Sequence, residues 1–257
     1  MTKNSYSTSK TIVKAFRLLE FLSEHQPSRV SQLTEGLGLT QSNLYRILDT
    51  LQDLGYVTKI SKATYRLSMK VFVLGSSALG YDELPIVSQA FMARLSEISQ
   101  ETISLAVLYD GAVLYIDKIK SPHYLQLDQP IGKSHPLHCT ALGKSLLCGL
   151  SDDKLRNQLN LLELAKYTQN TVTDVESLVE IIREAREKGY TTDFEELSIG
   201  INCIACPIRD HSGRGIAAIG VSGPTVRFGK EKMQELKPEL INIAGEISMK
   251  MGYKIKA

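Results

Sequence analysis

Cys203 and Cys206 form a CxxC, and His135, His138 and Cys139 lie earlier in the chain; these residue types ligate zinc or cycle between thiol and disulfide. Their placement weakens both chemistries. If 203–208 is a strand, residues three apart point to opposite faces, and one metal could not reach both thiols without a turn. There is no second CxxC, and a redox pair belongs at a helix N-terminus, where the thiolate is stabilised. A thiol-based or zinc-dependent sensor or enzyme using Cys203 and Cys206 is therefore the alternative reading, and neither metal nor cofactor is expected. Ser145 in GKSLL lacks the strand and elbow of a hydrolase nucleophile, and the same GKS lacks the upstream glycines of a phosphate loop. No catalytic residue is expected.

Two other groups of residues suit binding. Thr140, Ala141, Leu142 and Gly143 open a predicted helix, where unpaired N–H groups and the positive end of the helix dipole can receive a carboxylate without an arginine. Near the start of the chain, Gln41, Ser42 and Asn43 stand in the first turn of another predicted helix, with Tyr45 and Arg46 just beyond. Short polar side chains there can bond base edges in a major groove, while Arg46 and, further on, Lys59, Lys62 and Arg66 suit phosphates, which fix register without reading sequence.

The elements that would position these residues follow from periodicity. Residues 10–25 carry Ile12, Ala15, Phe16, Leu19 and Leu22 at helical spacing. Val30, Leu33 and Leu37 mark a short second helix closed by Gly38, and Thr40 caps a third, whose expected buried set is Leu44, Ile47, Leu48, Leu51 and Leu54. Residues 56–60 and 63–67 read as two short strands about a Ser61-Lys62 turn, which completes a winged helix-turn-helix. A linker helix carrying Val71, Leu74 and Ala78 should break between Gly80 and Pro85 and be followed by a helix with Ile86, Phe91, Leu95 and Ile98. Strands at 103–109 and 112–119 flank Asp110-Gly111, a strong hairpin signal, and another strand is expected at 124–127. Helices at 141–149, 152–162 and 174–188, strands at 203–208 and 215–222 and a closing helix at 230–251 complete an antiparallel α+β domain.

Composition agrees with two domains, expected at 1–80 and 81–257. The 257 residues carry 30 basic and 28 acidic side chains, 43% hydrophobic and 23% charged residues, which excludes disordered and fibrous classes. Residues 1–70 hold six Lys and four Arg against three Glu and two Asp, a net of +5, whereas the remainder is at −3. A basic head on a mildly acidic body fits a polyanion-binding module joined to one that does not bind polyanions. The polar opening MTKNSYSTSK and the absence of any long apolar run lead to the expectation of a cytoplasmic protein with no membrane partner.

The motifs SNLYRILDTLQDLGYV, YRLSMKVFVLGSSAL, PLHCTALGKSLL, DFEELSIGINCIACPIRD and GIAAIGVSGPTVRF, in this order, resemble those of IclR-family transcriptional regulators over residues 9 to 252. The resemblance implies a GAF-like effector-binding domain and a homodimer or homotetramer on a near-palindromic double-stranded DNA operator. It also implies control of a catabolic operon, more often by repression, through a small carboxylate effector such as a sugar acid or a hydroxy or keto acid. It carries the effector role onto Ala141, Leu142, Asp193, Cys203 and Ser222. Two departures stand out: Ser68, where many relatives have glycine after YRL, and Gly220, where some place an effector-contacting serine.

Overall fold

The computed structural model describes residues 9–76 and 84–254. The chain divides into two compact units, Met1–Asp82 and Glu83–Ala257. The expected helix break at Gly80 to Pro85 and Ala78 of the linker fall largely or wholly outside the described residues.

In the first unit, α1 (Lys10–Glu24), α2 (Val30–Leu37) and α3 (Gln41–Asp53) surround a core of Leu18, Leu22, Val30, Leu33, Leu44, Ile47, Leu48 and Leu51. Gly38 takes φ +62° and closes α2, the left-handed conformation expected of it. The Thr40 hydroxyl caps α3 by accepting from the Asn43 N–H at 3.5 Å. Two details of the expected core differ. α1 buries Leu18 and Leu22, whereas Ile12 and Phe16 are 58% and 60% exposed, because its apolar arc is wider than the face that the core uses. Leu54 is also exposed, since α3 ends at Asp53 and the chain turns away there. The wing is a three-stranded antiparallel sheet of β1 (Ser28–Arg29), β2 (Val57–Ser61) and β3 (Thr64–Leu67), in the order β1-β3-β2. Ser68 stitches the wing exit: its hydroxyl donates to Gly55 O and accepts from the Lys70 N–H. α4 (Met69–Ser76) follows.

The second unit is a six-stranded antiparallel sheet with helices on both faces. Its elements are α5 (Leu84–Ser99), β4 (Thr102–Tyr109), β5 (Ala112–Ile119), β6 (Ser134–His135), α6 (Ala141–Leu147), α7 (Asp152–Asn160), α8 (Val175–Lys188), β7 (Thr191–Phe194), β8 (Ile201–Arg209), β9 (Gly215–Pro224) and α9 (Lys230–Lys250). The strand order is β6-β5-β4-β9-β8-β7. Asp110 and Gly111 both take positive φ, the turn geometry that matches the twist of β4 and β5. α5 and α9 pack on each other and on the sheet, while α6 lies against β7, β8 and β9. The α6 side is filled by Ala106, Val113, Tyr115, Leu142, Ala205, Ala218 and the apolar faces of α7 and α8.

Two expectations are corrected here. Residues 124–127 are not a strand; Tyr124 is fully exposed, and the Leu125 and Leu127 carbonyls accept from Arg227 and Thr102 side chains instead of a ladder. The edge strand is Ser134–His135, paired with β5. α5 buries Leu84, Met92 and Leu95 while Ile86 and Ile98 are exposed, because its apolar residues are spread around the helix and two facing elements select among them. No helix among the described residues is long and apolar enough to cross a membrane.

Candidate functional site

In the second unit the pairing register aligns three distant residues. Asp193 lies opposite Cys203, and Cys203 opposite Ser222, so the three form one polar row across β7, β8 and β9. Asp193 and Ser222 flank the Cys203 thiol on the two neighbouring strands. The next row on the same face is Thr191, Ala205 and Gly220.

α6 is bolted over these rows. The Thr191 hydroxyl donates to Ala141 O at 2.6 Å and meets Ser145 Oγ at 2.7 Å. Ser145 is therefore a buried structural hydroxyl. At the helix start, Thr140 Oγ1 accepts from the Gly143 N–H and donates to Pro136 O, so its capacity goes to capping and not to a ligand. That leaves the N–H groups of Ala141 and Leu142 without acceptors among the described residues. Gly143 permits this approach, because a Cβ there would lie 2.3 Å from Leu137 O. At Gly220 a Cβ would lie 3.1 Å from Leu142 Cδ2 and 3.0 Å from Ile204 O. Leu142 thus leans on the bare backbone of Gly220.

Burial sets the electrostatics. It pushes the Asp193 carboxyl up to about 6; the Glu196 carboxylate adds to the rise, while the Glu196 N–H bond and Lys144 oppose it. The Cys203 thiol is also pushed well up, first by burial and then by Asp193, and the Tyr115 phenol rises by burial with Cys203 and Asp193 beside it. Two charged residues of this cluster escaped the motif reading. Lys144, in the GKS segment, is 2% exposed, and its ammonium bonds Glu196 Oε1 at 2.5 Å. No periodic signal marks a lysine as buried, since a lysine at that spacing ordinarily faces water.

The cysteines do not converge. Cys203 faces the α6 side, and Cys206, pushed up by burial, sits on the alternate face of β8 opposite Ile219. Cys139 and Cys148 are raised by burial to about 12 and about 11, so these thiols are held protonated and are poor nucleophiles. His138 is buried with Nε2 bonded to Ala165 O at 3.0 Å, and His135 Nε2 meets Gln129 Oε1.

In the first unit, Gln41 and Ser42 are exposed, Asn43 and Tyr45 are half-buried, and Arg46 is exposed one turn beyond Ser42, at a groove that it shares with Ile12 and Phe16. Lys14 and Arg17 of α1, unremarked in the motif reading, join Asn43 around a groove of about 320 Å³ at the start of α3. Only the crossing of α1 over α3 brings them there. On the wing, Lys62 is at the tip, while Lys59 lies over the Tyr65 ring and Arg66 pairs with Thr58 on the other face. Lys59 and Arg66 therefore do not form one patch.

Comparison with known proteins accounts for both units. The IclR helix-turn-helix domain matches residues 11–61, and the Bacterial transcriptional regulator IclR C-terminal domain matches residues 77–249. The HTH-type transcriptional regulator KdgR of Escherichia coli K12 is 36% identical over 95% of this chain and 93% of its own length. The Transcriptional repressor IclR of the same organism is 30% identical over 95% and 90%. Among solved structures, the Thermotoga maritima IclR superposes with a TM-score of 0.82 at 30% identity, covering 95% of this chain and 99% of that one. An IclR homolog from Microbacterium hydrocarbonoxydans, complexed with 4-hydroxybenzoate, shares the fold at a TM-score of 0.83 and 23% identity, covering 94% and 99%. With both of its units matched, the chain belongs to the IclR family of DNA-binding transcriptional regulators and is not an enzyme.

Proposed function

We propose that the protein is a cytoplasmic repressor of a catabolic operon, released from or held on its operator by a small organic acid. Residues 1–80 would bind DNA and link, and residues 81–257 would bind effector and oligomerise. The observation that carries the effector reading is the Asp193–Cys203–Ser222 row beneath the start of α6. A hydroxylated acid could direct its carboxylate to the free N–H groups of Ala141 and Leu142 and its hydroxyls to Asp193, which would repel a carboxylate placed beside it. Sugar acids and small hydroxy or keto acids have that pattern. The name of the repressor relative supports repression, and the bound 4-hydroxybenzoate of the Microbacterium homolog is itself a hydroxylated carboxylate. A head that reads DNA through Gln41, Ser42, Asn43, Tyr45 and Arg46, with Lys62 at the wing tip and Lys59 and Arg66 on its two faces meeting separate phosphates, would need two copies for a near-palindromic operator. Ile12, Phe16, Leu19, Leu54 and Leu74 line an apolar groove of about 930 Å³ in the first unit, the kind of surface that a second copy would cover.

Effector and DNA binding are coupled only if the acid binds two states of the protein differently. The test is Asp193→Ala in full-length protein, with operator binding measured by fluorescence anisotropy with and without a panel of sugar acids and keto acids. The response to acid should fall while operator affinity without acid stays near wild type. Equal loss of both would sink the site assignment.

A further inference from the structure

The ion pair between Lys144 of α6 and Glu196 of the β7–β8 connection is unusual in what it leaves unmet. A lysine is almost never so fully buried without a counter-charge, and this ammonium has three donors. Among the described residues its side-chain acceptor is Glu196 Oε1. The other oxygen, Glu196 Oε2, is buried and has no hydrogen-bond partner among the described residues. An unmet carboxylate oxygen in the interior is costly, so each member of the pair is held by an imperfect partner.

We propose that Glu196 is an internal stand-in for an effector carboxylate: a small carboxylate takes the Lys144 ammonium from Glu196, and the released Glu196 frees the β7–β8 connection. The inference rests on reading this unit as a carboxylate receptor and specifies how the acid is held. The Glu196 N–H bonds Asp193 Oδ1, so the ion pair lies at the end of the Asp193–Cys203–Ser222 row. Exchange is favoured over simple addition. A carboxylate added beside the intact pair would set three acidic groups, the ligand, Glu196 and Asp193, about one ammonium, and like charges crowded in a dry site are strongly disfavoured. Replacing one carboxylate by another keeps the charge at Lys144 unchanged. Glu196 is the less enclosed partner of the two, its side chain 11% exposed against 2% for Lys144.

The consequence is transmitted through backbone bonds already present. The Glu196 N–H donates to Asp193 Oδ1 at 2.7 Å, and its carbonyl accepts from Thr171 Oγ1 at 2.6 Å and Thr168 Oγ1 at 3.2 Å. Glu195 beside it holds φ +56°, a left-handed conformation that a non-glycine residue keeps only under constraint. Release of the side chain would therefore be felt at once by Asp193 and by the turn that leads into α8.

Full-length wild type, Glu196→Gln and the double variant Lys144→Met/Glu196→Gln are titrated by calorimetry with pyruvate, gluconate and 4-hydroxybenzoate, and hydrogen exchange is followed at 195–200. A neutral amide competes less well for the ammonium. Glu196→Gln should therefore bind at least one acid about tenfold more tightly than wild type, within the usual span of coupled interactions. The double variant, which removes both members of the ion pair, should bind none. Exchange at 195–200 should quicken when wild type takes up acid and be quick already in Glu196→Gln. A wild type that binds an acid with Glu196→Gln no better, or a double variant that keeps the affinity, overturns the exchange alone. Absence of binding by both wild type and Glu196→Gln overturns the receptor reading together with it.

Discussion

Replacing Asp193 by asparagine keeps the shape of the side chain and an oxygen to accept the Glu196 N–H, but removes a carboxyl that is 3% exposed and raised by burial from 3.8 to about 6. The sign of its effect on stability follows. Below about pH 4 the group is protonated in both the folded and the unfolded chain and costs nothing. Between about pH 4 and pH 6 the unfolded chain ionises while the folded protein keeps its proton, so the contribution of Asp193 to stability is lost as pH rises; above about 6 the penalty is constant. A gap of about two pKa units corresponds to roughly 3 kcal/mol. Asparagine does not titrate. The stability of Asp193→Asn minus that of wild type should thus grow by about 3 kcal/mol between pH 4 and 6.5 and then level. For a unit of this size that equals roughly 6–12 °C in Tm. Urea unfolding of both proteins, followed by circular dichroism at half-unit pH steps from 4 to 8, reads the difference directly, and subtraction cancels the other titrating groups. A difference that does not change with pH, or that shrinks as pH rises, would refute the account of Asp193 as a desolvated acid.

Arg17→Ala and Arg46→Ala should each lower the slope of log affinity for operator against log salt by about one, without altering preference among operator sequences, if both meet phosphates. An unchanged slope removes the residue from the interface. Gly143→Ala drives a Cβ to 2.3 Å from the Leu137 carbonyl and should cost about 1–3 kcal/mol, seen as a lower urea midpoint; a wild-type midpoint would mean that α6 can shift freely. Phe16→Glu alters a residue 60% exposed within the first unit; if a second copy covers that groove, helicity should persist while sedimentation shows weaker self-association, the share held by residues 81–257 remaining. An oligomer of unchanged strength would place the subunit contact elsewhere.

Much of the fold was legible because local rules decide it. Gly38, Thr40, the Asp110-Gly111 turn and the apolar repeats of α2 and α3 each act within a few residues, and the structure realises them except at Leu54, which is exposed. Periodicity misjudged α1 and α5 for one reason: both helices are apolar on more than one side, and which side is covered depends on neighbours far away in the chain. The stretch at 124–127 has the composition of a strand, but a strand needs a partner, and β5 pairs with 134–135 instead.

For the sites, residue types near in sequence could be recognised as candidates, and motif resemblance supplied Asp193, Cys203 and Ser222 separately. Their alignment as one row is a property of register across three strands, set when the two long strands β8 and β9 pair over most of their length. Lys144 and Glu196 are 52 residues apart, and each alone would be assigned to solvent; only packing of α6 against the β7–β8 connection places opposite charges together out of water. Lys14 and Arg17 likewise reach the start of α3 through a helix crossing. The sequence by itself determined the family, the order of elements and a basic head on an acidic body, because these depend on local pattern and charge count. The tertiary structure alone decided which charges are buried, which face of each helix is covered and which polar groups meet, because those depend on contacts between residues that no local spacing relates.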